Sequence, residues 1–226
     1  MSFTEGLQRF LDTTAITVDR LLTLSTKLAA APTPRAHHDA AMGLRNDAEL
    51  LQALITEFRT LADLQSAALP ELHPLPLQPQ VQALTLLFQE LADLQDIELQ
   101  VQVPADLIVM SHARLCTPML RRLLDNAIRY HRPGGAVLIS ARARPHGGVT
   151  LRLCDNGHGL GRPRQQRPFL PFEREGKELC PTDGLGMGLA VAHTLASRQG
   201  IRLTVRARPG RGTIVSLNWP PQPRSG

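Results

Sequence analysis

At 226 residues with a net charge of +5, the chain has room for one large or two small domains. Hydrophobic residues make up 42% and aromatic residues 4%, so Leu and Ala supply most of the burial, which favours helices. Scattered arginines without an interleaved aromatic stripe argue against a nucleic-acid site, and no apolar run reaches membrane-spanning length. No signal peptide opens the chain, and Cys116, Cys154 and Cys180 lack paired metal spacing, which together fit a reducing cytoplasm.

Residues 3–30 read as one amphipathic helix. Leu7, Leu11, Thr14, Val18, Leu21, Ser25 and Leu28 alternate steps of four and three, with Leu24 taking over burial at Ser25. Ala31-Pro32-Thr33-Pro34-Arg35 breaks the run. A second helical pattern runs from about Asp39 to Ala68, with Leu44, Ala48, Leu51, Ile55 and Phe58 as its stripe. Two helices joined this way form an antiparallel hairpin that cannot bury its stripe alone. A dimeric four-helix bundle made by two copies, through residues 3–68, is the simplest solution, with packing on the chain's own C-terminal part as the alternative.

The proline-rich stretch 70–79 reads as a linker, dividing a hairpin domain at 1–69 from a second domain at 80–222. The second domain begins with a helix from about Val81 to Gln95, a strand at Ile97–Val103 and a helix from about His112 to Tyr130. Strands follow near Ala136–Arg144 and Gly148–Cys154. After a glycine-rich region come a helix from about Met187 to Gln199 and two strands, Ile201–Ala207 and Thr213–Trp219. The turn at 209–212 makes those strands a hairpin. The order predicts an α+β fold, a helical hairpin followed by a two-layer α/β sandwich.

Two glycine clusters carry the chemistry. Asp155-Asn156-Gly157-His158-Gly159 follows a strand, and an Asp leaving a strand can accept a hydrogen bond from an exocyclic amine such as that of adenine. Gly184-Leu185-Gly186-Met187-Gly188 opens a helix, whose free N–H groups suit phosphate. Either cluster alone also reads as an ordinary turn or loop. The two in order, with a long polar insert between them, point to one end holding a base and the other a phosphate tail.

Residues 80–220 resemble the ATP-binding domain of sensor histidine kinases, within the superfamily that also contains DNA gyrase, a heat-shock chaperone and a mismatch-repair ATPase. Leu123 to Tyr130 is similar to the family's N box, Asp155 to Gly159 to its G1 box, Phe169-Leu170-Pro171-Phe172-Glu173-Arg174 to its F box, and Gly184 to Gly188 to its G2 box. Gly212-Thr213 is similar to the GT pair before the last strand. The resemblance implies ATP and Mg²⁺ as ligands. Asn126 would hold Mg²⁺ through its carbonyl oxygen, and Arg129 and Tyr130 would reach phosphate or adenosine. Asp155 would bind the adenine amine, Gly157 and Gly159 would let the base lie against the backbone, and Thr213 would support it. Gly184, Gly186 and Gly188 would bring main-chain N–H groups to the phosphates. The insert Arg162–Asp183 would be a lid, with Arg162, Arg164 and Arg167 as candidates for the γ-phosphate. The hairpin would be the dimerisation and phosphotransfer domain, docking a response regulator.

Two departures stand against that pattern. The first helix contains no His; alignment on Arg9-Phe10-Leu11 puts Ile16 at the phosphoacceptor position, off the buried stripe, and Thr17 where an acid should follow. His38, paired with Asp39, is the substitute acceptor, beside His37, but using it would consume the helix the second domain needs before its first strand. One turn before Asn126 stands Arg122, where the family has Asn or Glu; an Arg is no base, although it can contact phosphate. The expectation is therefore the ATP-binding core of a two-component kinase acting on or regulating a response regulator, without ordinary autophosphorylation. The alternatives are a non-catalytic adaptor switched by ATP, or a kinase acting on another protein in trans.

Overall fold

The computed structural model describes residues 3–66, 68, 71–160, 168–169, 187–208 and 210–221. The chain divides into two units, Met1–Gln65 with Leu170–Met187, and Ser66–Phe169 with Gly188–Gly226. Among the described residues no helix is long and apolar enough to cross a membrane.

In the first unit, α1 spans Phe3–Ala29 and α2 spans Pro34–Ser66. The second helix begins five residues before the expected Asp39, because Thr33 caps it: its hydroxyl accepts the Ala36 N–H at 3.2 Å. Proline is tolerated in the first turn, so Pro34 starts this helix instead of preventing it. The helices run antiparallel. Phe10 stacks on Phe58 with ring centroids 4.2 Å apart, Arg20 pairs with Asp47 at 3.1 Å, and a Cβ at Gly43 would lie 3.1 Å from Leu24 Cδ1. These pairs fix the rotation of α2, and its buried positions Asp47, Leu50 and Leu54 lie one residue before the expected Ala48, Leu51 and Ile55. Among the described residues of α1 Thr17 is buried and its hydroxyl donates to the Thr13 carbonyl at 2.9 Å, while Leu11 (48%) and Val18 (41%) stay exposed. A helix with one neighbour in its hairpin turns one line of side chains toward it and leaves the flanking line open.

In the second unit, β1 (His73–Pro76) pairs antiparallel with β3 (Ile108–Ser111), and α3 spans Leu77–Leu94. The stretch read as a linker thus contains a strand and the start of a helix. β2 (Ile97–Gln102), β4 (Gly135–Ala143), β5 (Val149–Asp155), β6 (Arg202–Arg208) and β7 (Gly212–Trp219) form one sheet in the order β2-β4-β5-β7-β6. Only β2 and β4 are parallel. Among the described residues the remaining helices are α4 (Ala113–Arg129) and α5 (Gly188–Ser197).

Strand alternation places Ile139, Leu153 and Val215 in one row and Leu151, Leu217 and Leu203 in the next, all buried. Ile139 and Leu153 meet Val81 and Leu84 of α3 and Leu120 and Leu124 of α4. The other face of the same strands carries Arg152, Ser216 and Thr204, so the expected two-layer sandwich is what forms. At the far end of α5, buried Gln199 accepts hydrogen bonds from the Ser111 hydroxyl at 2.6 Å and the His112 N–H at 3.0 Å. Its amide donates to the Leu195 carbonyl at 3.0 Å, so the buried side chain is satisfied on both sides.

Candidate functional site

The apolar stripe of α4, including Leu120, Leu123, Leu124, Ala127 and Ile128, is buried. At its C-terminal end Asn126 and Tyr130 are half-buried and open onto a cleft in the second unit. Leu123, Ala127, Leu153, Leu189 and Val215 wall this cleft, and Asp155, Gly159, Leu160 and Thr213 complete it. An apolar slot with a few convergent polar groups is the usual architecture of a small-ligand site.

Asp155 ends β5 and is held in one orientation. Its Oδ1 accepts the Gly157 N–H at 3.0 Å and the Thr213 N–H at 3.1 Å. Burial raises this carboxyl above its ordinary range, and the hydrogen bonds from Gly157 and Thr213 together with the charge of His131 oppose the rise. A carboxylate fixed at the base of an apolar cleft accepts a hydrogen bond from an exocyclic amine, the contact adenine offers. Two close approaches demand glycine here. A Cβ at Gly212, where φ is +86°, would lie 1.9 Å from the Asp155 carbonyl oxygen; one at Gly157 would lie 2.7 Å from the Tyr130 carbonyl oxygen.

The N-terminus of α5 faces the other polar group of the cleft. A Cβ at Gly188 would sit 3.2 Å from Asn126 Oδ1, a tight contact that glycine avoids as the helix starts beside that side chain. A half-buried amide oxygen beside a helix N-terminus suits a hard cation shared with phosphate oxygens and water. Among the described residues no cluster of three or more His, Cys, Asp or Glu is placed to hold a metal. A Mg²⁺ ion here would take Asn126 as its protein ligand and the ligand's phosphates as the rest.

Asn126, Tyr130, Asp155, Gly159 and Thr213 therefore come together around one cleft, and Gly157 and Gly188 shape it from behind. Arg129 does not line it: its Nε binds both carboxylate oxygens of Asp125, at 2.9 and 3.0 Å, one helical turn away. Arg122 is half-buried on α4 and likewise does not line the cleft. Gly184, Gly186, Arg162, Arg164 and Arg167 lie outside the described residues, as does most of the expected lid. From the F box, Phe169 stacks on His193 of α5 with centroids 4.3 Å apart, and burial lowers the His193 pKa. In the first unit, His37 and His38 are exposed in the first turns of α2, a helix where a loop was expected. Ile16 is 56% exposed, in line with its expected place off the buried stripe, and Thr17 behind it is buried.

Sequence reasoning did not single out the walls Leu123, Leu153, Leu189 and Val215 as site residues. They read as ordinary core, and only the register of β5 and β7 against α4 brings them around a cleft. Nor did it find Arg132, whose Nη2 donates to the Gly157 carbonyl at 3.1 Å and the Gly210 carbonyl at 2.6 Å. No local signal marks bonds that span 25 and 78 residues.

Residues 112–224 match the model of the histidine kinase-, DNA gyrase B-, and HSP90-like ATPase family. The chain is 32% identical over 133 residues to the adaptive-response sensory kinase SasA of Prochlorococcus marinus (strain MIT 9303), covering 58% of this chain and 36% of that one. It is 30% identical over 176 residues to the sensor-like histidine kinase SenX3 of Mycobacterium tuberculosis (strain ATCC 25618 / H37Rv), covering 77% of this chain and 43% of that one. The chain thus spans less than half the length of these curated relatives. In fold it is similar to the histidine kinase ThkA in its complex with the response regulator protein TrrA, with a TM-score of 0.76 and 15% identity over 97% of this chain and 62% of that one.

Proposed function

Since the chain belongs to the histidine kinase-, DNA gyrase B-, and HSP90-like ATPase family, we propose that its second unit binds ATP with Mg²⁺ and serves a two-component signalling pathway. The observation that carries the proposal is Asp155, fixed by the Gly157 and Thr213 N–H groups at the base of an apolar cleft. In this reading adenine lies between the aliphatic walls with its amine on Asp155. Gly159 and Thr213 pack against the base, Tyr130 and Asn126 lie along the route to the phosphates, and Gly184, Gly186 and Gly188 meet the triphosphate. Arg129 would have to leave Asp125 to take part. Bound magnesium would neutralise charge on the terminal phosphates; the chain's own contribution is to hold and orient the nucleotide.

Residues 1–69 would form the dimerisation and phosphotransfer-like domain and residues 80–222 the ATP-binding domain. Exposed Leu11, Val18, Leu22 and Ile55 on the hairpin support pairing of two copies through residues 3–68. The likeness to ThkA in complex with TrrA supports a response regulator as the partner. Ile16 at the acceptor position and Arg122 in place of a base speak against ordinary autophosphorylation on α1, so the nucleotide would drive transfer to, or regulation of, another protein. Incubation with γ-labelled ATP and Mg²⁺, with and without a response regulator, tests this. Label on the added protein supports transfer in trans, and ATP binding without any label supports an ATP-switched adaptor. No calorimetric ATP binding would sink both.

A further inference from the structure

Arg132 lies just beyond the C-terminus of α4 and is half-buried. Its Nη2 bonds two carbonyls, Gly157 in the loop after Asp155 and Gly210 in the β6–β7 turn. One guanidinium nitrogen therefore ties together two backbone segments distant in sequence. They also meet directly, because the His158 carbonyl accepts the Gly210 N–H at 2.7 Å. From the helix side the Tyr130 carbonyl accepts the His158 N–H at 3.4 Å. Arg132 Nε is buried without a partner, a penalty that a solvated surface arginine escapes.

The two tied segments are the ones that aim Asp155. The loop supplies the Gly157 N–H, and the turn leads, three residues beyond Gly210, to the Thr213 N–H. We infer that Arg132 is a positioning residue for adenine recognition: it touches no ligand, and it holds the loop and the turn in the one arrangement that points the Asp155 carboxylate at the base's amine. This rests on the nucleotide reading above. Without Arg132 the loop and turn lose their shared anchor and the carboxylate spreads over several orientations. The apolar walls and the phosphate end of the cleft keep their own supports.

Titration calorimetry of the full chain with ATP and with inosine triphosphate separates this role from a merely structural one, because inosine lacks the amine. Wild type should prefer ATP. Arg132→Ala should bind ATP roughly tenfold more weakly and inosine triphosphate within about twofold of wild type, so the preference collapses. Arg132→Gln, which keeps a single short donor arm, should fall between, and it decides by the same ratio if the Ala variant does not fold. An unchanged ATP-to-inosine ratio, including equal losses for both, overturns the inference. So does a wild type that binds both equally, although nucleotide binding then stands. A wild type that binds neither removes the nucleotide reading itself.

Discussion

Gly212 and Asp155 touch backbone to backbone: the α-carbon of Gly212 presses so close to the Asp155 carbonyl that no side chain fits between them. At φ +86° an L-residue is strained even without a neighbour. Gly212→Ala should therefore lower stability by about 2 kcal/mol or more, seen as a fall in Tm of roughly 5 °C. Because β7 must shift to relieve the clash, ATP affinity should fall with it. A variant with wild-type Tm would show that the turn has slack.

Asp155→Asn keeps the acceptor for Gly157 and Thr213 but turns an NH₂ group toward the adenine amine, donor against donor. ATP affinity by calorimetry should drop at least roughly tenfold. Stability without ligand should move the other way. Burial raises the Asp155 pKa in the fold, so the charged form is penalised at every pH above that raised value. Wild type regains this stability as pH falls through the folded pKa toward the unfolded one; the Asn variant shows no such recovery. Over the same fall, ATP binding by wild type should weaken, and at a higher pH than an ordinary carboxylate would give. Tm and affinity measured across the acidic range check both signs.

Within the hairpin, Asp47 is 2% exposed with Arg20 as its partner, while its Oδ2 has none. Arg20→Ala strands a buried charge and should destabilise the protein by about 1–2 kcal/mol, less than a fully buried pair because Arg20 is itself 46% exposed. Adding Asp47→Leu should recover most of the loss, since two apolar faces then meet. Chemical denaturation of the single and double variants measures the difference, and a double variant weaker than the single would refute it.

His38 is exposed on the first turns of α2 and is not among the residues lining the cleft around Asp155. His38→Ala should leave ATP affinity unchanged, and neither form should label itself with γ-labelled ATP. Self-labelling of wild type that vanishes in His38→Ala would make His38 the acceptor after all.

How legible was this in the amino-acid order? α4 and β5 were, because their apolar spacing is long and regular, and with them the α+β sandwich. β1 and β3 were not. His73-Pro74-Leu75-Pro76 has two prolines in four residues and reads as linker, yet β1 pairs with β3 alone, at a margin where missing N–H donors are tolerated. On α2 the positions buried within the single hairpin, Asp47, Leu50 and Leu54, sit one residue before the expected stripe, and a charged residue such as Asp47 does not read as core. Among the site residues, Asn126, Tyr130, Asp155 and Thr213 stand at motif positions, but Arg129 carries a local competitor, Asp125, at the ideal spacing for an ion pair along a helix. Arg132 has no local pattern at all, since its partners come from two other loops.

The hydrogen bonds that Gln199, just past the end of α5, accepts from Ser111 and His112 pin that end to the residues leading into α4, at the end remote from Asn126. Neither helix can then slide along the other when a ligand arrives. Accommodation is left to the loops at the open end, so binding should register as tightened amide exchange there while the pinned end stays silent.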